Sequence, residues 1–218
     1  MDFSRDFIAL ACRKGVLRFG AFVTKAGRNS PYFFNAGLFD DGASFRELCG
    51  YYARAIRGSG VACDMLFGPA YKGIPLVVAT AVSLARDHGV DIAWCFNRKE
   101  AKDHGEGGNL IGAKLAGRRV LVVDDVITAG TAIREALAII AGAGGTAAAI
   151  AIALDRQERV ADGDDRSAAQ AVADEQGIPV IAIAGLADLL AFAGESPTLA
   201  AERDRLLAYR ARHGSRTD

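Results

Sequence analysis

The sequence predicts an α/β fold: a central, mostly parallel sheet flanked by helices. Two observations carry this. Short apolar runs recur at residues 64–67, 91–96, 120–123 and 147–154, and apart from the aspartates that open the first two they are apolar throughout, as strands covered on both faces are. Helical patterns at residues 74–86 and 132–143 separate some of them, which is the strand–helix rhythm of a parallel sheet.

The remaining elements follow in chain order. Residues 3–14 place Phe3, Phe7, Ile8, Leu10 and Ala11 near helical spacing and end at Gly15, an amphipathic helix with a stop signal. Residues 16–35 are rich in aromatic and β-branched side chains and are broken by Gly20, Gly27 and Pro31, so they read as two short strands around a turn. A helix over 45–56 is closed by Gly58 and Gly60, and residues 179–184 form one more strand with helices before and after it. Residues 97–109 are the one long polar stretch inside this pattern and read as a loop.

Composition bounds the function. The chain has 218 residues, 51% of them hydrophobic and 24% charged, a balance too apolar for disorder and suited to a sizeable core. Lys and Arg number 26, as do Asp and Glu. No whole-molecule field for nucleic acid is expected, and an anion site must be local. Cys12, Cys49, Cys63 and Cys95 lie far apart with no C-x-x-C pair, which points to free thiols in a reducing compartment, the cytoplasm. The first residues show no signal-peptide pattern and no apolar run is long enough to span a membrane.

The sharpest motif runs from Val120 to Ala132. A buried strand ends in Asp124 and Asp125; Val126 and Ile127 follow, and Thr128, Ala129, Gly130 and Thr131 lead into a helix at Ala132. In open parallel sheets ligands sit outside the carboxyl ends of strands. Backbone amides and two hydroxyls at a helix N-terminus suit a phosphate. Two carboxylates there would repel that phosphate unless they serve another part of the ligand, such as vicinal ribose hydroxyls or the waters of a magnesium ion. The plainer alternative is a surface turn with a helix cap. Neither a Walker loop nor a complete G-x-G-x-x-G is present, since Leu110 stands where the third glycine belongs.

A second strand-end turn, Gly68-Pro69-Ala70-Tyr71-Lys72-Gly73, places a cation where backbone amides converge. Lys72 there is either solvated or a diphosphate contact. Arg98, Lys99, Lys102 and His104, followed by Gly105, Gly107 and Gly108, concentrate positive charge in the polar stretch. A departing diphosphate needs cations and exclusion of water, then release, which suits a closing loop with glycine hinges. Between Thr24 and Asn35, Lys25 and Arg28 precede Phe33 and Phe34. Those two rings pack either a planar base or the core of a hairpin.

Residues 120–132 resemble the phosphoribosyl pyrophosphate motif of type I phosphoribosyltransferases. The stretches 30–35, 67–73, 95–105 and 154–158 are similar to orotate phosphoribosyltransferases, in order and spacing, over nearly the whole chain from Phe22. The resemblance implies the type I phosphoribosyltransferase fold in a single domain over 1–218. A small hood is implied from about residues 1–40 and part of the C-terminal region. It implies transfer of the phosphoribosyl group from 5-phosphoribosyl 1-diphosphate to orotate, giving orotidine 5′-phosphate and diphosphate in pyrimidine nucleotide synthesis. The ribose diphosphate is implied at Lys25, Tyr71, Lys72, Arg98, Lys99, Lys102, His104 and Asp124 through Ala132. Orotate is implied at Phe33, Phe34, Thr128 and Arg156, with Lys72, Lys102, Asp124 and Asp125 as the catalytic set. Arg156 suits a carboxylate physically, because a guanidinium fork pairs with that group twice, although a strand-end arginine also forms ordinary ion pairs. Mg2+ is the implied cofactor, held mainly by substrate and water near Asp124 and Asp125. A homodimer with shared active sites is implied as well. A purine transferase and a non-catalytic regulator on the same fold are the rival readings. Ala26, where many relatives have serine, and the acidic segment 160–165 depart from the pattern.

Overall fold

The computed structural model describes every residue except 1–2, 25–26, 103–107, 162, 196 and 217–218, and the side chains of 100–102 and 108 are likewise outside the description. Helix α1 (Phe3–Arg13) buries Phe7, Ile8, Leu10 and Ala11, and Gly15 stops it in the left-handed region at φ 68. Strands β1 (Leu17–Val23) and β2 (Asn29–Phe34) pair antiparallel as a separate two-stranded sheet. Helix α2 (Gly42–Gly58) starts at Asp41, whose carboxylate accepts from the Ser44 amide at 2.8 Å, satisfying a backbone donor that the first turn leaves orphaned.

The main sheet has six strands. Its members are β3 (Met65–Gly68), β4 (Ala93–Lys102), β5 (Gly108–Gly112), β6 (Arg119–Val123), β7 (Thr146–Asp155) and β8 (Val180–Gly185), in the order β5-β4-β3-β6-β7-β8. Every pairing is parallel except that of β5 with β4. Strand side chains alternate between faces. Leu66, Leu121, Val123 and Ala151 therefore join one core with α1, α2 and α3 (Gly73–His88). Met65, Phe67, Val120 and Val122 join the other, under α4 (Thr131–Gly142) and α5 (Ala168–Gln176). Helices α6 (Leu186–Gly194) and α7 (Ala200–His213) close the first face, and Tyr209 of α7 meets Tyr32 of β2 edge-on at 6.4 Å.

Most of the polar stretch 97–109 departs from the loop expected. Strand β4 continues to Lys102 and β5 starts at Gly108, with Asn97 opposite Leu110 and Lys102 opposite Gly108. Cross-strand pairing at Asn97 and Lys102 orders the backbone there without an apolar face. Among the described residues no helix is long and apolar enough to cross a membrane. All four cysteines are free thiols.

Candidate active site

The sheet order reverses between β3 and β6. From β3 the chain runs to β4 on one side, while β6 and β7 lie on the other. Ligands of open α/β sheets bind at such a switch point, beyond the carboxyl ends of the strands. The chain leaves β3 at Pro69, passes a cis peptide between Ala70 and Tyr71, and enters α3. This turn approaches its own helix so closely that a Cβ on Gly68 would lie 2.1 Å from the Gly73 carbonyl oxygen.

The strand-end turns after β3 and β6 are tied to each other and to strand β4 here. The Ala70 amide donates to the Asn97 side chain at 2.9 Å, linking the β3 turn to β4. Lys99 lies 5.2 Å over the ring of Tyr71, which is 64% exposed. Lys72 Nζ meets Asp125 Oδ2 at 2.5 Å, linking the β3 turn to the β6 loop. The Lys72 side chain is half exposed, so this pair stays within reach of an incoming anion.

Asp124 and Asp125 are both 8% exposed. Their backbone is fixed by the sheet, with the Asp124 amide donating to Ala151 and the Ala153 amide to Asp125. The buried Tyr52 hydroxyl donates to the Asp124 carbonyl at 2.7 Å, and the Asp125 amide donates to Asp124 Oδ1 at 2.9 Å. Burial, with the charge of Asp125 next in size, raises the Asp124 pKa to about 7. Past the pair, Ile127 turns into the core, while Thr128, Ala129, Thr131 and Ala132 are exposed and Val126 is half-buried. Gly130 caps α4 at φ 73, and a Cβ there would come within 2.9 Å of both Arg134 and Val172. Only glycine meets both demands. The result is an open helix N-terminus with two hydroxyls and a buried carboxylate pair behind it.

Arg156 follows β7 on the same edge. Its Nη2 meets Glu158 at 2.6 Å and donates to Ser30 Oγ at 3.3 Å, and the guanidinium lies 4.5 Å over the Tyr32 ring. The ion pair weighed as the alternative for Arg156 is therefore present, in a mostly buried setting rather than on the open surface. Phe33 and Phe34 are strand neighbours and point to opposite sides. Phe34 packs toward Phe7 at 6.4 Å, while Phe33 lies 5.5 Å from Phe22 with Arg18 over both rings. The core-packing alternative thus describes Phe34, and only Phe33 presents a ring outward. Arg98 is half-buried and Lys99 exposed on β4. Lys25 and His104 lie outside the described residues, as does the side chain of Lys102.

Sequence reasoning gave no role to Tyr52, Asn97, Arg28 or Glu158. Tyr52 and Asn97 act on backbone, which no motif reveals. Glu158, two residues from Arg156 at a strand end, was a visible signal of opposite charge. Among the described residues no three His, Cys, Asp or Glu side chains converge as a metal site.

A model of the phosphoribosyl transferase domain matches residues 39–174, so the fold and site define a phosphoribosyltransferase. Full-length relatives narrow this. Orotate phosphoribosyltransferases of Xanthomonas axonopodis pv. citri and Stenotrophomonas maltophilia are 62% and 60% identical over 99% of this chain and 98% of their own length. A crystal structure of orotate phosphoribosyltransferase from Francisella tularensis superposes with a TM-score of 0.86 at 40% identity, covering 96% of this chain and 100% of that one. The chain belongs to the orotate phosphoribosyltransferase family.

Proposed function

We infer that the chain transfers the 5-phosphoribosyl group of 5-phosphoribosyl 1-diphosphate to orotate, in pyrimidine biosynthesis. The observation that carries this reading is the meeting of Lys72, the buried Asp124–Asp125 pair and the Thr128–Thr131 helix N-terminus at one sheet edge. The relatives supply the base.

Thr128, Gly130 and Thr131 hold the 5-phosphate through amides, hydroxyls and the α4 dipole. Asp124 and Asp125 bind the ribose hydroxyls and lie near the positive charge that develops at C1. There the bond to diphosphate breaks with its electron pair, and the acceptor nitrogen bonds. Lys72, Arg98 and Lys99, joined by Lys25, Lys102 and His104, neutralise the leaving diphosphate. Positioning and electrostatics carry the rate with no covalent intermediate. Orotate lies with its carboxylate at Arg156 and its ring by Phe33, against the backbone of Phe34 and Thr128.

The donor set also fits Mg2+, since the buried Asp124–Asp125 pair suits a hydrated cation anchored by substrate. When bound, the ion neutralises phosphate oxygens. Further parts of the reading are one catalytic unit over the whole chain with a β1–β2 hood, a homodimer with shared sites, and a cytoplasmic location. Assaying nucleotide formation from orotate and from each purine base, with and without chelator, tests it. Product from orotate alone, lost in excess chelator, is expected; turnover of a purine base or full turnover in chelator overturns the corresponding part.

A further inference from the structure

We propose that Glu158 is a positioning residue that aims Arg156 and thereby makes the site select a base carrying a carboxylate; this rests on the reading of Arg156 as the orotate contact. Glu158 Oε1 takes Arg156 Nη2 at 2.6 Å and accepts from the Tyr32 hydroxyl at 3.3 Å, while Oε2 faces Arg28 Nη1 at 3.6 Å. The guanidinium is held from three directions, by Glu158, by Ser30 Oγ and by the face of Tyr32. Ser30 and Tyr32 are almost completely buried, so none of these supports is free to swing.

Glu158 is itself fastened. It forms an antiparallel bridge with Gly214, the Arg159 amide donates to the His213 carbonyl at 2.9 Å, and the Ser215 amide donates to the Gln157 carbonyl at 2.8 Å. The end of α7 thus clamps the backbone on both sides of the carboxylate. An arginine fixed in plane and rotation has already met the ordering cost of paired hydrogen bonds before its ligand arrives. The hood, the sheet edge and the C-terminal helix converge on this one side chain, which touches no proposed substrate atom.

The test compares two product nucleotides that differ only in the carboxylate, orotidine 5′-phosphate and uridine 5′-phosphate. Dissociation constants for both are measured on the full chain and on Glu158→Gln. Orotidine 5′-phosphate is expected to weaken about tenfold, with uridine 5′-phosphate weakening less than twofold, so that discrimination shrinks about five- to tenfold. A merely structural role would weaken both equally and overturns the proposal. Unchanged discrimination, or tighter orotidine 5′-phosphate once the counter-ion is gone, does so too. Tyr32→Phe keeps the ring under Arg156 and removes only its bond to Glu158; a smaller loss of discrimination in the same sense is expected, and it decides the matter if Glu158→Gln does not fold. If the unaltered chain forms no nucleotide from orotate, the functional reading fails. If it does and discrimination stays put in the variants, this inference alone fails.

Discussion

Asp124 is where function and stability pull against each other. Its carboxyl is buried against a second carboxylate, and its pKa of about 7 in the folded chain compares with an ordinary value of 3.8. In that interval the folded state holds a proton that the unfolded state has released. Stability from this residue is therefore full below the ordinary carboxylate range and is lost as pH rises toward 7. Asparagine has no charge to bury, and its Oδ1 can still accept from the Asp125 amide. Asp124→Asn is expected to gain stability over the native chain by roughly 2–3 kcal/mol more at about pH 8 than at about pH 5, while losing activity. Urea unfolding at the two pH values measures this. A gain independent of pH would show that the burial of charge at Asp124 costs the fold nothing. The Lys72–Asp125 pair beside it lowers the cost without removing it, as a half-exposed lysine would.

At the scale of elements, the sheet was legible because buried parallel strands advertise themselves. Val120–Val123 and Ala147–Leu154 are apolar runs that end where the site begins. Strand β5 and the far half of β4 were not legible, because their order comes from pairing with each other and leaves polar residues and glycines on view. The pairing of Phe33 with Phe34 looked like one aromatic platform in the sequence, yet strand alternation splits the two rings. The β3–α3 turn was legible through its glycines, and its closeness makes a prediction. A Cβ on Gly68 would lie 2.1 Å from the Gly73 oxygen and 2.7 Å from Val77, both fixed by the start of α3. Gly68→Ala is expected to cost roughly 1–3 kcal/mol or more through overpacking and to shift Lys72 from Asp125. Gly50 in α2 has open space around it. There the same change should stabilise by about 0.5–1 kcal/mol, since alanine is the better helix former. Thermal unfolding of the two variants gives opposite signs if this holds, and a harmless Gly68→Ala would mean that the turn opens easily.

At the scale of the whole molecule, the β4–β5 arm bears on the proposed homodimer with shared sites. Strand β4 pairs with β3 only from Ala93 to Phe96, whereas its outer part, to Lys102, pairs with β5 alone. The arm therefore runs past the end of β3 and carries Arg98, Lys99 and Lys102. In a two-fold pair any exchange of arms is reciprocal. On this proposal Lys102 serves the partner's site, while Lys72 and Asp125, paired within one chain, serve their own. Lys102→Ala and Asp125→Asn proteins, each nearly inactive, can be unfolded, mixed and refolded together. A mixed dimer then contains one site with both defects and one with neither. With random pairing about half the dimers are mixed and half of their sites are intact, so about a quarter of native activity should return if sites act independently. A refolded mixture as inactive as its parents, beside native chain that refolds well, would place Lys102 in its own subunit's site.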